Sequence, residues 1–149
     1  MEIVNRKANH DYFIKDTYEC GIVLQGTEIK SIRKGNVNIN DSYARIKNNE
    51  VFLTNMYIGK YEEGNRFNHD ERRERKLLLK KNEILKLAHE VETKKLTLVP
   101  LKIYFVRNKA KISLGLCQGK KLYDKRESIK ERDLKRKEYI NYSYNIILN

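Results

Sequence analysis

The strand pattern of this chain is clearest in the stretch Lys109-Ala110-Lys111-Ile112-Ser113-Leu114-Gly115-Leu116-Cys117. Its even-numbered residues are apolar and its odd-numbered residues are polar or small, so a strand here has one core face and one outer face. Arg107-Asn108 can form a turn before it, and Leu96–Val106 supplies a partner strand. Pro100, the only proline, fits an edge or a bulge of that partner. The stretch therefore predicts a long hairpin.

Further strands are predicted upstream of this hairpin. Ser42–Lys47 and Val51–Ile58 alternate around Asn48-Asn49, whose side chains tolerate the left-handed backbone of a tight turn. Tyr12–Ile14 and Tyr18–Leu24 are extended segments rich in aromatic and β-branched residues. Several short strands with turn signals between them favour a mostly β fold with flanking helices, a closed or partly closed barrel of the OB-fold type. An open α+β sandwich fits the same pattern.

Helices are predicted at three places. A short helix begins with Thr27 as its cap and ends at Gly35. Asp70 is expected to cap a second segment with acidic residues in its first turn. From Asn82 to about Thr93, apolar residues recur at intervals of three and four, which is typical of an amphipathic helix.

Charge indicates what kind of partner the chain has. Its 149 residues carry a formal net charge of +12 and fit one domain, or one domain with a tail. Nucleic acid and anionic membranes are the ordinary partners of such a chain, but no apolar run approaches the roughly 20 residues of a membrane span. The N-terminus lacks the shape of a signal peptide, and Cys20 and Cys117 lack the spacing of metal ligands. We expect a cytoplasmic nucleic-acid-binding protein without metal, cofactor or membrane association, its cysteines reduced and partly buried.

A basic segment separates the folded part from the rest of the chain. Gly119–Arg126 holds five ionised side chains around Tyr123, a phosphate-seeking patch with an aromatic stacking platform. We divide the chain here into a barrel domain, residues 1–118, and a basic tail, residues 119–149. Glu131 and Lys135 have helical pair spacing, but such pairs contribute only about 0.2–0.5 kcal/mol each. The tail is therefore expected to be disordered when free and helical when bound.

Two His-Asp steps raise the alternative of a ribonuclease. His10-Asp11 and His69-Asp70 supply acid–base side chains, but adjacency in sequence does not pair them in space. We interpret His69-Asp70 as a helix start and His10 as a structural hydrogen bond or an RNA contact. An enzyme is the disfavoured reading.

Strings of residues from Asn5 to about Arg132 match one known family in order and spacing. They are Asn5-Arg6-Lys7-Ala8, His10-Asp11-Tyr12-Phe13-Ile14, Gly26-Thr27-Glu28-Ile29-Lys30-Ser31-Ile32-Arg33, Asp41-Ser42-Tyr43-Ala44, Asn65-Arg66-Phe67-Asn68-His69-Asp70, Arg75-Lys76-Leu77-Leu78-Leu79, Leu98-Val99-Pro100-Leu101 and Gly119-Lys120-Lys121-Leu122-Tyr123-Asp124-Lys125-Arg126. Together they resemble the small protein B (SmpB) family, the SsrA-RNA (tmRNA)-binding proteins of bacterial ribosome rescue.

This resemblance implies an OB-fold barrel that binds the tRNA-like domain of tmRNA and a tail that enters the decoding region and empty mRNA channel of a stalled ribosome. Translation would then resume on tmRNA and tag the incomplete peptide. Elongation factor Tu with aminoacylated tmRNA is the further partner implied, and a monomer is expected. The protein itself would perform no covalent chemistry. A generic OB-fold RNA-binding or ribosome-associated protein is the alternative.

The resemblance also assigns residues. The tmRNA contacts of the family fall on Glu19, Leu78 and Lys111, and we add the nearby basic and polar residues Lys30, Arg33, Asn5 and Lys7. Lys111 suits a phosphate, whereas Glu19 would accept hydrogen bonds from base amino groups or 2′-hydroxyls. Leu78 packs either on an unstacked base or in the core. The residues assigned to the ribosome are Gly119, Lys120, Lys121, Tyr123, Asp124, Lys125, Arg126, Lys130 and Arg132, with Tyr123 stacking on a ribosomal RNA base.

Overall fold

A computed structural model describes residues 1–121 together with Lys125 and Arg126. Backbone contacts divide the chain into two units, Met1–Gly119 and Lys120–Asn149. The strands are β1 (Glu2–Val4), β2 (Tyr12–Ile22), β3 (Val37–Asn38), β4 (Tyr43–Lys47), β5 (Glu50–Thr54), β6 (Tyr57–Ile58), β7 (Arg75–Leu78), β8 (Thr97–Val106) and β9 (Lys109–Gly119). The helices are α1 (Ala8–Asp11), α2 (Gly26–Arg33) and α3 (Lys81–Lys94), with a 3₁₀ turn at Glu62–Phe67.

The main sheet closes into a barrel. Strands β8, β4, β5, β7, β2 and β9 are neighbours in that order, and β9 pairs back onto β8. Strand β4 pairs with β8 at Leu98, and β1 pairs with residues 102–104 further along β8. Strands β3 and β6 form a separate two-stranded sheet. This closed, mostly β architecture with flanking helices confirms the predicted OB-fold-like barrel. The predicted behaviour of the free tail concerns residues outside those described.

The turns of both predicted hairpins are confirmed, but the predicted strand Val51–Ile58 is wrong in extent: β5 ends at Thr54, Asn55 has a φ of 67°, and Tyr57–Ile58 pairs with β3 as β6. Asn48 and Asn49 have φ angles of 53° and 60°, and Arg107 and Asn108 have 49° and 64°, the left-handed pairs that tight two-residue turns require. Pro100 lies at a register shift of β8 between Pro100 and Lys102, which confirms the predicted bulge. The bulge matters for function because it sets which later residues of β8 face outward.

The N-terminal extended segments form one strand. Residues 12–22 run continuously as β2 beside β9, with a register shift between Ile14 and Asp16 instead of a break. A bulge keeps the ladder intact on both sides of an extra residue. The polar residues between the two predicted segments therefore mark the bulge, and β2 alternates inward and outward residues from Asp16 to Ile22.

Helix α3 confirms the predicted amphipathic helix, whereas the cap of α2 differs from the prediction. The backbone N–H of Gln25 donates to Glu28 Oε1 at 2.8 Å, so α2 begins with Gln25 as its cap. The Thr27 hydroxyl instead lies 2.8 Å from Nδ1 of His69. Gly35, with φ of 78°, ends the helix as predicted.

The prediction of a helix that starts at His69-Asp70 is wrong. Arg75–Leu78 is strand β7, which pairs with β5 on one side and β2 on the other. Asp70 Oδ1 accepts a hydrogen bond from the Arg72 backbone N–H at 2.9 Å and so closes a turn. Pairing on both edges of β7 outweighs the helix propensity of these residues.

The barrel interior is filled by aliphatic side chains that the flanking helices cover. Ile112 and Leu114 of β9 are completely buried, and so are Ile32 of α2 and Leu87 of α3. Cys20 and Cys117 are completely buried, more than the partial burial expected from the sequence.

A buried ionic network holds α2 against β7. Both Glu28 and Arg75 have completely buried side chains, and Arg75 Nε donates to Glu28 Oε2. Arg73 donates to Glu28 Oε1 at 2.5 Å, and Arg75 also donates to the Met56 carbonyl at 2.7 Å. Burial alone would raise the pKa of Glu28, but the hydrogen bonds from Arg73, the Gln25 backbone and Arg75 outweigh it, and the pKa lies below its usual value. This network fixes the strand that carries Leu78.

Candidate nucleic-acid interface

One outer face of the barrel brings the predicted RNA contacts together. Leu78 of β7 is opposite Gly21 of β2, Gly21 is opposite Lys111 of β9, and Lys111 is opposite Tyr104 of β8. With neighbouring strands about 4.8 Å apart, this row spans about 15 Å. Glu19 lies two residues before Gly21 and therefore points to the same side. We call this surface, Glu19, Gly21, Leu78, Tyr104 and Lys111, the lateral face.

The sequence left open whether Leu78 packs on an unstacked base or in the core, and the structure places it outside the core. Its side chain is 51% exposed, whereas that of Leu77 is 1% exposed and fills the core. Val23, 46% exposed, continues the outward side of β2 after Gly21. A Cβ atom on Gly21 would lie 3.2 Å from Leu78 Cβ, so only glycine leaves this strip flat. Leu78, Gly21 and Val23 thus form an apolar floor on which a planar base can lie.

Glu19 is held by a tyrosine. The Tyr104 hydroxyl donates to Glu19 Oε1 at 2.7 Å, although the two residues are 85 positions apart in sequence. Burial, together with this hydrogen bond and the carboxylate charge, raises the pKa of Tyr104 to about 12. Glu19 itself is exposed and can accept further hydrogen bonds.

Lysines border the lateral face. Lys111 is half-buried within it, where its ammonium can meet a phosphate beside the apolar floor. Lys102 Nζ lies 5.4 Å from the centroid of the Tyr104 ring and 3.5 Å from a Glu2 carboxylate oxygen. On the opposite border, Lys76 pairs with Glu50 at 3.1 Å. The face thus combines apolar area, one carboxylate and several cations, which suits an unstacked nucleotide with its phosphates.

Lys30 and Arg33 are both exposed on α2, but their contacts differ. The Arg33 guanidinium lies 4.4 Å from the ring centroid of Phe105, which is next to Tyr104 in β8. Phe105 faces the side of the sheet opposite Tyr104 and packs against the core, so Arg33 lies at the α2 end of the barrel and not on the lateral face. Lys30 lies 5.4 Å from the ring centroid of Tyr61, after β6.

Asn5 and Lys7 are anchored to the barrel. Asn5 is 4% exposed, and its amide donates to the Pro100 carbonyl at 2.9 Å. Lys7 is exposed and pairs with Asp41 at 3.4 Å. Asn5 therefore has a structural role that the sequence did not indicate, and contacts of these two residues with RNA remain predictions.

Only part of the predicted ribosome-contact segment is described. Gly119 ends β9 opposite Tyr12, and the Lys125 backbone N–H donates to the Lys121 carbonyl at 3.1 Å, the spacing of one helical turn. Lys121 and Arg126 are exposed and Lys120 is half-buried. The remaining predicted residues Tyr123, Asp124, Lys130 and Arg132 lie outside the described residues.

The histidines of the His-Asp steps are used in structural contacts. His69 is 3% exposed, with Nδ1 bonded to Thr27 and Nε2 at 2.9 Å from the Ile58 carbonyl. His10 Nδ1 lies 2.9 Å from Asp11 Oδ1. Within residues 1–121, 125 and 126, no group of three or more His, Cys, Asp or Glu side chains could hold a metal ion. In this part of the chain, no helix is long and apolar enough to cross a membrane.

A closed barrel with apolar, cationic and carboxylate side chains on one outer face is the arrangement typical of OB-fold nucleic-acid-binding proteins. The family described as "SmpB protein" matches residues 2–142. The chain belongs to this family, as its sequence motifs indicated.

Close relatives agree with this assignment. The SsrA-binding protein of Desulfitobacterium hafniense is 61% identical over 132 residues, covering 89% of this chain and 85% of the relative. That of Carboxydothermus hydrogenoformans is 60% identical and covers 89% of each chain, and that of Staphylococcus aureus is 58% identical and covers 89% of this chain and 86% of the relative. A solved structure described as "tmRNA-SmpB: a journey to the center of the bacterial ribosome" contains a chain with a TM-score of 0.70 and 51% identity, covering 86% of this chain and 94% of that one.

Proposed function

We propose that this protein binds the tRNA-like domain of tmRNA and delivers it to stalled ribosomes, where trans-translation tags the incomplete peptide. One observation carries the proposal. The family's RNA-contact positions Glu19, Leu78 and Lys111 are far apart in sequence, and they converge on one outer face of the barrel. Relatives that share 58–61% identity over 132 residues bear the name SsrA-binding protein, which supports the same partner.

The lateral face supplies the kinds of contact that an RNA loop needs. The apolar floor at Leu78 can support an unstacked base, and Lys111 can neutralise a neighbouring phosphate. Glu19 would repel a phosphate, so it must meet a hydrogen-bond donor, a base amino group or a 2′-hydroxyl. We assign the exposed cations Arg33, Lys30 and Lys7 to peripheral contacts outside the lateral face, and Asn5, which is 4% exposed, would hold the chain in place beside Lys7.

We assign residues 1–118 to RNA binding and residues 119–149 to the ribosome. The ribosomal contacts proposed for the tail are Gly119, Lys120, Lys121, Tyr123, Asp124, Lys125, Arg126, Lys130 and Arg132. Its cations would meet ribosomal RNA phosphates in the decoding region and empty mRNA channel, and Tyr123 would stack on a base. The tail would become helical there.

The remaining parts of the proposal concern the setting of this function. The protein acts as a cytoplasmic monomer beside elongation factor Tu, which carries the aminoacylated tmRNA. It catalyses no reaction itself. The contacts made by His69 support this part, because both of its ring nitrogens are engaged with Thr27 and Ile58 instead of facing a substrate.

Separable defects test the proposal. Lys111→Ala should weaken binding to the tRNA-like domain, since it removes a cation from the lateral face. Lys94→Ala removes the same charge from the end of α3, where Lys94 pairs with Glu90, and it should bind normally. Combined replacement of Asp124, Lys125 and Arg126 by alanine should leave RNA binding intact and abolish peptide tagging in a reconstituted translation system. RNA binding lost with the tail change but not with Lys111→Ala would favour a generic basic RNA-binding protein.

A further inference from the structure

We infer that Tyr104 is a positioning residue of the lateral face, whose hydroxyl orients the Glu19 carboxylate to read the amino-bearing edge of an unpaired nucleobase. The inference rests on the proposed function and deepens it by naming a further residue and the group that is read. It starts from the 2.7 Å hydrogen bond from Tyr104 to Glu19 Oε1.

The barrel register shows how Tyr104 reaches Glu19. Tyr104 is on β8 and Glu19 on β2, and β9 lies between these strands. Lys111 of β9 is the register partner of Tyr104, and Ser113 is the partner of Glu19. The Tyr104 side chain must therefore cross the outer surface of β9 diagonally between these two residues. A tyrosine has few rotatable bonds, so strand pairing largely fixes where its hydroxyl lies.

The hydrogen bond leaves part of the carboxylate available. Only Oε1 of Glu19 accepts from Tyr104, and Oε2 makes no hydrogen bond with residues 1–121. A carboxylate at neutral pH only accepts hydrogen bonds, so its RNA partner must be a donor. Without Tyr104, an exposed glutamate would sample many rotamers, and ordering it on binding would reduce affinity.

The surroundings of Glu19 favour a base over a sugar hydroxyl as that donor. Gly21, next on the same side of β2, forms the apolar floor together with Leu78. A base lying flat on this floor presents its hydrogen-bonding edge toward Glu19, while Lys111 on the adjacent strand can hold its phosphate. An amino group on that edge would donate to Oε2.

The test measures binding of the full-length protein to the tRNA-like domain of tmRNA at fixed salt concentration. Tyr104→Phe removes only the hydroxyl and should weaken binding up to about tenfold, a loss of about 1.4 kcal/mol. Tyr57→Phe makes the same change on β6, outside the lateral face, where Arg72 lies 5.4 Å from the ring centroid, and should have no effect. Binding by Tyr104→Phe as tight as that of Tyr57→Phe would overturn the inference.

A double-mutant cycle separates positioning from a merely structural role. If Tyr104 acts through Glu19, then Tyr104→Phe should cause no further loss in a Glu19→Ala background. If the two variants instead weaken binding independently, so that the double variant loses the product of their fold-changes, the inference is overturned.

Lys111→Ala separates failure of this inference from failure of the proposed function. If Tyr104→Phe and Lys111→Ala both bind normally, the proposed function itself fails. If Lys111→Ala weakens binding and Tyr104→Phe does not, only the role of Tyr104 is refuted.

Atomic substitution in the RNA identifies the group that is read. Replacing guanosines of the unpaired loops by inosine, adenosines by purine riboside and cytidines by zebularine, one at a time, removes an amino group and should abolish the advantage of wild type over Glu19→Ala at one position. If a 2′-deoxy substitution abolishes that advantage and no base substitution does, Glu19 reads a sugar hydroxyl and the assignment to a base is wrong.

Discussion

Replacing Glu28 by glutamine should destabilise the barrel strongly although it changes few atoms. Glu28 is completely buried and accepts hydrogen bonds from the Gln25 backbone, Arg73 and Arg75. Glutamine keeps the shape but removes the charge, and its amide NH₂ group would face an arginine donor. Arg75, whose side chain is also completely buried, would lose its counter-charge.

The expected loss follows from this burial. Removing one partner of a buried ion pair costs about 3–5 kcal/mol, a large part of the roughly 5–15 kcal/mol by which a domain is stable. With a urea dependence of about 2 kcal/mol per molar, the unfolding midpoint should fall by about 2 M. Glu50, half-exposed and paired with Lys76 on the neighbouring strand, provides the matched control. Glu50→Gln should change the free energy of unfolding by no more than about 1 kcal/mol.

Urea titrations followed by circular dichroism compare wild type, Glu28→Gln and Glu50→Gln in one buffer. Equal midpoints for the two variants would contradict the reasoning, since the Glu28 network would then contribute no more than an exposed pair. A changed slope with an unchanged midpoint would equally count against it, because the predicted effect is on stability and not on the compactness of the unfolded chain.

The remaining predictions concern acid, thiols and the apolar floor. The fold lowers the pKa of the Glu28 carboxyl, so the stability that this carboxylate contributes is complete above its unfolded pKa of about 4.3. That stability is lost as the pH falls through the pKa of the folded protein. Urea midpoints of wild type should therefore drop more steeply in acid than those of Glu28→Gln. Burial raises the pKa of Cys20 to about 12 and that of Cys117 to about 11, so a thiol reagent at neutral pH should label them only after unfolding in urea, and fast labelling of the native protein would contradict this. Gly21→Val should weaken binding to the tRNA-like domain because its Cβ would lie 3.2 Å from Leu78 Cβ and displace that side chain from the apolar floor; gel-shift titration measures this, and wild-type affinity would contradict it.

Local sequence patterns predicted the hairpins and α3 because the signals for them are short-range. The turn at Asn48-Asn49 depends only on the backbone conformation of those two residues, so local sequence is enough to predict it. The alternation around Ile112 likewise requires only that one face of its strand is buried. Strand β7 was mistaken for a helix because Leu77, Leu78 and Leu79 carry no period by themselves. Their alternation appears only once β5 and β2 pair on both sides.

The lateral face shows the same limit of sequence reasoning. Glu19, Leu78 and Lys111 were assigned through family resemblance, and their convergence depends on barrel closure. Tyr104 was not predicted as part of this face because the bulge after Pro100 shifts the alternation of inward and outward residues in β8. Only the exact position of the bulge places Tyr104 on the same side as Lys111. The Asn5 contact with the Pro100 carbonyl joins residues 95 positions apart, which no local pattern indicates.

In the function proposed above, the barrel reads the RNA and the tail contacts the ribosome. The most direct test titrates the tRNA-like domain of tmRNA with full-length protein and with a truncation ending at Gly119, with bulk tRNA as competitor. Salt is held at its physiological concentration, because basic proteins bind any RNA at low salt. Tight and selective binding by both proteins is the predicted result. Equal binding to bulk tRNA, or binding lost with the tail, would contradict the claim.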